Sequence, residues 1–214
     1  MKDYIKANQE VYDRLAQEYR AKLKDYIISD RIQIAPFIRY LNNNFTEVKV
    51  LELGSGSGLC LSYFEAEGFY TTAIDISSKI INVSKKIAPK TKYVCGDFLG
   101  FDFGAQQYNG IFAKAFIHLF TKEDAITILK KIFDLIVENG IAFVATTVHK
   151  KPEEGFFEKS DYNVKLKRFR KKWTENELLE EVTKAGFRLL DKSYNIEKDN
   201  GKKWMNLLLA KASD

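Results

Sequence analysis

The stretch Val50-Leu51-Glu52-Leu53-Gly54-Ser55-Gly56-Ser57-Gly58 runs an apolar segment into a turn with glycine at every second position. Glycine is needed where backbone turns with positive φ, or comes closer to a ligand than a Cβ permits. The turn opens a helix, whose free N–H groups and positive dipole end attract negative charge. The loop is therefore shaped for a ligand with an anionic or carboxylate part. A dinucleotide fingerprint would space its glycines G-x-G-x-x-G and bring a pyrophosphate to the helix. Here the spacing is G-x-G-x-G, and Glu52, two residues ahead of Gly54, repels a pyrophosphate but suits a cationic amine. Asp75, in Ala73-Ile74-Asp75-Ile76, is placed to accept hydrogen bonds from both hydroxyls of a ribose.

These residues need a scaffold that brings strand ends side by side. From about residue 48, apolar β-rich runs alternate with longer amphipathic stretches, the pattern of strand–helix–strand units around a parallel sheet. The runs predict strands from Val48 to Leu53, Tyr70 to Ile76, Lys92 to Asp97, Tyr108 to Ala115, Ile141 to Val148, Phe187 to Glu197 and Trp204 to Ala212. Ser77 or Ser78, Thr121 and Thr174 supply helix caps, the last with Glu177 three residues on as a capping box. Asn139-Gly140 is expected to end a helix spanning roughly 122 to 137. Only Asp199-Asn200-Gly201 separates the last two strands, which reads as a hairpin turn. Before residue 48 the pattern is helical, with apolar stripes at Val11, Leu15 and Tyr19 and at Ile32, Ala35, Ile38 and Leu41. Pro36, Pro89 and Pro152 fall at element edges. The fold expected is α/β: a doubly wound, mostly parallel seven-stranded sheet with a C-terminal antiparallel hairpin and N-terminal cover helices. Residues 1–45 form the helical cover and 46–214 the ligand-binding domain, one structural unit overall.

The chain has 214 residues, 45% apolar and 29% charged, close to the globular average and far from a disordered composition. No run approaches the ~18 apolar residues of a spanning helix, and Met1-Lys2-Asp3-Tyr4 lacks an apolar leader. Cytoplasm is the expected compartment, with no membrane partner. Cys60 and Cys95 sit in apolar runs without metal or redox spacing and read as small core residues. With two histidines, His118 and His149, no metal site is expected. The net charge of +5 suits solubility, but Lys165, Lys167, Arg168, Arg170, Lys171 and Lys172 crowd one segment.

The glycine loop resembles the first motif of the class I S-adenosylmethionine (SAM)-dependent methyltransferases, and Asp75 their second-strand acid. Cys95-Gly96-Asp97-Phe98 is similar to the segment whose acid contacts the adenine amino group, and Asn109 to Phe120 to the strand-four segment. The resemblance spans roughly residues 48 to 148 and continues more weakly through Trp173-Thr174, Gly186-Phe187 and the terminal hairpin. Tyr12-Asp13-Arg14-Leu15-Ala16-Gln17-Glu18-Tyr19 approximates the family's N-terminal Tyr-Asp-x-x-Ala-x-x-Tyr pattern, so that Tyr12 and Tyr19 either close over the cofactor or pack helices. The resemblance implies SAM as cofactor and S-adenosylhomocysteine as product. It implies a binding set of Glu52, Gly54, Ser55, Gly56 and Gly58 from the loop, Asp75 and Ile76 from the second strand, and Asp97, Phe98 and Ala113 beyond, with Tyr12 and Tyr19.

For methyl transfer the protein has to align an acceptor lone pair with the methyl and exclude water; a base helps only if the acceptor must lose a proton. His118, after the fourth strand, and His149, after the fifth, are the candidate bases, each set against a structural role. Where enzymes that methylate exocyclic amines of nucleic-acid bases carry an acid or Asn followed by Pro-Pro-aromatic, this chain has Ala113-Lys114-Ala115-Phe116. Lys114 either sets a cation near the methyl or packs its stem with its head in solvent. The basic stretch Asp161 to Trp173 alternates with period two, and resembles in place an aromatic and Arg-containing stretch over the substrate pocket of small-molecule members. Arg168 and Arg170 are then acceptor ligands; the other reading is a solvated edge strand. The expected reaction carries a methyl to an oxygen, or a nitrogen, of a small anionic metabolite. The rivals are an RNA-modifying enzyme using residues 165–172, and a non-catalytic SAM-binding scaffold, against which Glu52, the glycines and Asp75 argue. Oligomeric state is not legible.

Overall fold

The computed structural model describes residues 1–159, 166–197 and 201–211. Two N-terminal helices, α1 (Asp3–Ala21) and α2 (Leu23–Asn44), precede β1 (Lys49–Leu53), α3 (Leu59–Ala66), β2 (Tyr70–Asp75), α4 (Ser78–Ser84), β3 (Lys92–Cys95) and β4 (Tyr108–Lys114). A 3-10 turn (Ile117–Leu119), α5 (Lys122–Leu135), β5 (Ile136–Thr147), β6 (Glu153–Lys159), β7 (Leu166–Lys172), α6 (Glu175–Lys184), β8 (Phe187–Ile196) and β9 (Lys203–Lys211) follow. Seven strands make one sheet in the order β3-β2-β1-β4-β5-β9-β8. β3, β2, β1, β4 and β5 are parallel, while β9 runs antiparallel to β5 and β8 to β9. This is the expected mostly parallel α/β sheet with its antiparallel C-terminal pair. Strand order reverses beside β1, and that switch point is where open α/β sheets bind ligands.

Period-two alternation sends the strand side chains into two cores. Leu51, Leu53, Ile74, Ile111, Ala113 and Val144 pack against Ile128 and Ile132 of α5. On the other face Val50, Ala73, Phe112, Phe143 and Ala145 meet Phe37 of α2 and Phe64 of α3. Ser77, Thr121 and Thr174 cap α4, α5 and α6 by accepting from the amides of Ile80, Asp124 and Glu177. No helix among the described residues is long and apolar enough to cross a membrane.

Several expectations are corrected. The α5 helix ends at Leu135, and Asn139, at φ 59°, turns the backbone inside β5 instead of ending a helix. There the β4–β5 register shifts between Tyr108 and Gly110, so the left-handed residue marks a bulge. Pro36 lies inside α2, its ring exposed on the side away from the core, where the lost N–H is least harmful. The buried stripe of α2 is Ile34, Phe37 and Leu41, and Ile32 is exposed. Residues 153–159, read as connection, pair with β7 as a separate two-stranded antiparallel sheet. Cys60 is buried as expected, but Cys95 is exposed, on the edge strand β3. Asp161 to Lys165, and Asp199 and Asn200 of the hairpin turn, lie outside the described residues.

Candidate active site at the carboxyl edge of the sheet

The parallel strands deliver the predicted acids to one edge. Gly54 N–H donates to the Ile74 carbonyl (2.8 Å) and Gly96 N–H to the Asp75 carbonyl (3.0 Å), so the glycine loop, the β2 end and the Asp97 segment lie consecutively. Two glycines of the loop have separable reasons. A Cβ on Gly58 (φ 85°) would stand 2.7 Å from the Ser84 carbonyl oxygen, so this glycine lets α3 pack on α4. A Cβ on Gly56 (φ 50°) would meet nothing within 4 Å, leaving backbone open to a ligand. Sequence reasoning grouped Gly58 with the ligand contacts; the structure gives it a packing duty at the N-cap of α3 as well.

Asp75 holds the loop and is held by it. Its carboxylate accepts from the Ser77 amide (2.8 Å) and the Ser55 amide (2.9 Å), with the Ser55 hydroxyl at 3.4 Å. Burial pushes its carboxyl up to about 6, against the opposing pull of the Ser77, Ser55 and Gly56 amides. Each oxygen keeps acceptor capacity for a hydroxyl, since an ionised carboxylate offers about four lone-pair sites. Ile76 gives its carbonyl to Gln9 of α1 (2.9 Å), and Ser77 donates to Asp13, so α1 closes over the β2 end.

Glu52 is buried, and its Oε2 has no hydrogen-bond partner. Burial pushes this carboxyl up, Asp30 adds to the rise, and Lys114 opposes it. A buried carboxylate oxygen with nothing to bind fits the ammonium of a SAM methionine moiety, because charge-assisted donation would remove the desolvation cost of an unmet acceptor. Lys114 is ion-paired with Asp30 of α2, with 18% of its side chain exposed. Asp30 carried no signal in the sequence, since 84 positions separate it from Lys114.

Asp97 Oδ1 accepts from the Leu99 amide (3.1 Å), shaping the turn after β3. Phe98 is buried, its ring 6.0 Å from that of Phe116 at 88°. Ala113 points into the core; Ala115, at φ 58°, turns the chain out of β4 towards His118. His118 is buried, with Nδ1 3.1 Å from Thr146 Oγ1. His149 is half-buried, with Nε2 3.0 Å from Thr147 Oγ1. Burial, then the Arg170 and Lys172 charges, push the pKa of His149 below its ordinary value, with Glu153 opposing. Arg170 donates to the same Thr147 hydroxyl. Arg168 is buried, donates to Tyr12 and lies over its ring at 5.7 Å; the Tyr19 ring is tilted against that of Tyr12, with centroids 5.9 Å apart. Besides Asp30, two positions carried no signal in the sequence: Thr147, which joins Arg170 to His149, and Asn8. The Asn8 side chain donates to the Phe169 and Leu119 carbonyls and accepts from the Phe169 amide. No group of three or more His, Cys, Asp or Glu that could hold a metal occurs among the described residues.

A family described as a methyltransferase domain matches residues 50–140. No curated protein sequence matches the chain. Among solved structures, the 1,6-didemethyltoxoflavin-N1-methyltransferase of Burkholderia thailandensis, with bound 1,6-didemethyltoxoflavin and S-adenosylhomocysteine, superposes with a TM-score of 0.67 at 19% identity, covering 93% of this chain and 88% of that one. The CcbJ methyltransferase of Streptomyces caelestis gives 0.66 at 15% identity over 83% and 88%. The glycopeptide N-methyltransferase MtfA complexed with SAM gives 0.60 at 14% over 81% and 92%. At such identities the superpositions show the fold, which this chain shares with SAM-dependent methyltransferases, and the methyltransferase-domain match takes in the glycine loop, Asp75 and Asp97.

Proposed function

We propose that the enzyme methylates an oxygen or nitrogen of a small anionic metabolite. The observation that carries this reading is the inward turn of the basic segment. Arg168 and Lys171 are buried; Lys171 pairs with Glu177 (3.0 Å) and Lys172 with Glu153 (2.7 Å), while Arg170 reaches Thr147 beside His149. A stripe that tracked an RNA backbone would present its cations to solvent. Instead, the Arg170 guanidinium meets His149 at Thr147, at the end of β5, and Arg168 lies against Tyr12, a setting in which a guanidinium can give paired hydrogen bonds to a carboxylate or phosphate. Two of the structural neighbours are named N-methyltransferases, one of a small heteroaromatic compound, which supports a nitrogen acceptor as readily as an oxygen.

When bound, SAM supplies an electrophilic methyl on a positively charged sulfur. Asp75 would then hold the ribose, Glu52 the methionine ammonium and Asp97 with Phe98 the adenine, with Ile76 beside them, whereas Ala113, expected at the cofactor, is buried in the core beneath. Lys114, engaged with Asp30, balances Glu52 electrostatically. Arg168 and Arg170 would hold the acceptor anion and orient its nucleophilic atom. In methyl transfer the cofactor's sulfur would keep the electron pair of the broken carbon–sulfur bond, and His149 would take up a proton released by the acceptor. That imidazole suits the task because burial and two cations keep it neutral near pH 7. His118 is better placed to hold the 3-10 turn through Thr146.

The test is kinetic. Arg170→Gln should raise KM for the acceptor at least tenfold with SAM affinity unchanged, and turnover should depend weakly on salt. Steep salt dependence, with modest losses from each basic residue, would instead identify an RNA substrate. His149→Ala should lower kcat by ~10² to 10⁴ with cofactor binding preserved. A loss of only a few fold would mean that the acceptor needs no base.

A further inference from the structure

The turn that carries Asp97 has no strand or helix of its own, yet a recognition carboxylate must be held to within a fraction of an ångström. Its rigidity has an evident source. Lys131, on α5, extends beneath the turn and donates from Nζ to the carbonyls of Phe98 (2.6 Å), Phe101 (2.6 Å) and Leu99 (3.3 Å). The same ammonium lies 4.9 Å from the Phe98 ring centre and 5.4 Å from that of Phe103. An ammonium has three N–H groups, so three carbonyls saturate it, and two aromatic faces complete its shell. Above this, the Asp97 carbonyl accepts from the amides of Gly100 (3.2 Å) and Phe101 (3.0 Å), and its side chain from Leu99. The turn is thereby fastened from below by one cation and from above by its own amides.

We propose that Lys131 is a positioning residue for recognition of the cofactor's adenine, acting through the Asp97–Phe101 turn without touching the cofactor. The proposal deepens the reading above and rests on its assignment of Asp97 to the adenine amino group. Desolvation lowers the affinity of this half-buried amine for its proton, and a lysine with only a packing duty would gain by keeping its head in water. A charged head drawn under a turn is useful where the turn's carbonyls must all point one way. A neutral side chain of the same length would fill the space but release those carbonyls.

The test compares S-adenosylhomocysteine with S-inosylhomocysteine, which has an oxygen in place of the adenine amino group, by calorimetry on the full chain. The wild type should prefer the adenosyl compound about tenfold or more. Lys131→Met should weaken the adenosyl compound about tenfold and the inosyl compound less than threefold, so that the preference collapses. Lys131→Arg, which restores a cation, should recover most of the preference and serves if the Met variant fails to fold. Equal weakening of both ligands, an unchanged preference in Lys131→Met, or no recovery with Arg would overturn the proposal. Asp97→Asn in an otherwise native chain separates the two ideas. If that change leaves the preference intact, the assignment of Asp97 has failed; if it abolishes the preference while Lys131→Met does not, only the role of Lys131 has.

Discussion

Asp75 is buried enough to resist ionisation, whereas the role proposed for it, holding a ribose, calls for the ionised form. Its native carboxyl titrates at about 6, against an ordinary value of 3.8 in the unfolded chain. The native state therefore takes up this proton first, so stability contributed by Asp75 rises as pH falls through 6 and levels below 3.8. Cofactor binding runs the other way, because hydroxyl donors favour the carboxylate. SAM affinity should be flat above about pH 7 and fall by up to tenfold per unit below 6, with about half a proton released on binding at pH 6. Calorimetry in buffers of different ionisation enthalpy measures both, and a Kd constant from pH 8 to about 5 would exclude this role. The two glycines give a second contrast. Gly58→Ala meets the Ser84 backbone and should lower stability by ~2 to 4 kcal/mol, whereas Gly56→Ala, in open space, carries only the ~1 kcal/mol of a left-handed alanine. Denaturant melts showing equal losses would contradict the division into packing and ligand-facing glycine.

At the scale of elements, α1 and the β6–β7 sheet form one cover over the carboxyl edge, joined where Asn8 pairs with both backbone groups of Phe169. Asn8→Ala strands a buried N–H and C=O and should lower stability by ~2 to 3 kcal/mol, with faster hydrogen exchange at Phe169. Exchange unchanged at Phe169 would mean that the cover is held elsewhere. Much of this scale was legible. Apolar β-rich runs placed β1, β2, β4, β8 and β9, and Ser77, Thr121 and Thr174 announced their helices. What failed did so for identifiable reasons. Glu153 to Lys159 mixes acids with a glycine and two phenylalanines, without the one-sided alternation of a sheet that rests on a core. Asn139-Gly140 carries the same left-handed signal at a bulge as at a helix end. In α2 the spacing of Ile32 and Ala35 offered a helical stripe two residues out of phase with the one that Phe37 buries. Long-range partners such as Asp30 for Lys114 or Thr147 for His149 leave no trace in local pattern.

For the whole molecule, the sheet order sets the glycine loop, Asp75 and the Asp97 turn along one edge, with His149 and Arg170 meeting at Thr147, the end of β5. Cofactor and acceptor thus approach from different strands, and their binding should be separable by mutation. The charge balance agrees with a small partner, since most cations of the 166–172 stretch are committed to internal pairs and rings. The central claim is that the edge formed by β1 and β2 binds SAM through Asp75. Isothermal titration of SAM into the native chain and Asp75→Ala, with NAD as a control, tests it most directly. Micromolar binding to the native chain, a loss of ~1 to 3 kcal/mol in the variant and no heat from NAD are expected. Binding of NAD by the native chain, or of SAM by Asp75→Ala at undiminished affinity, would contradict it.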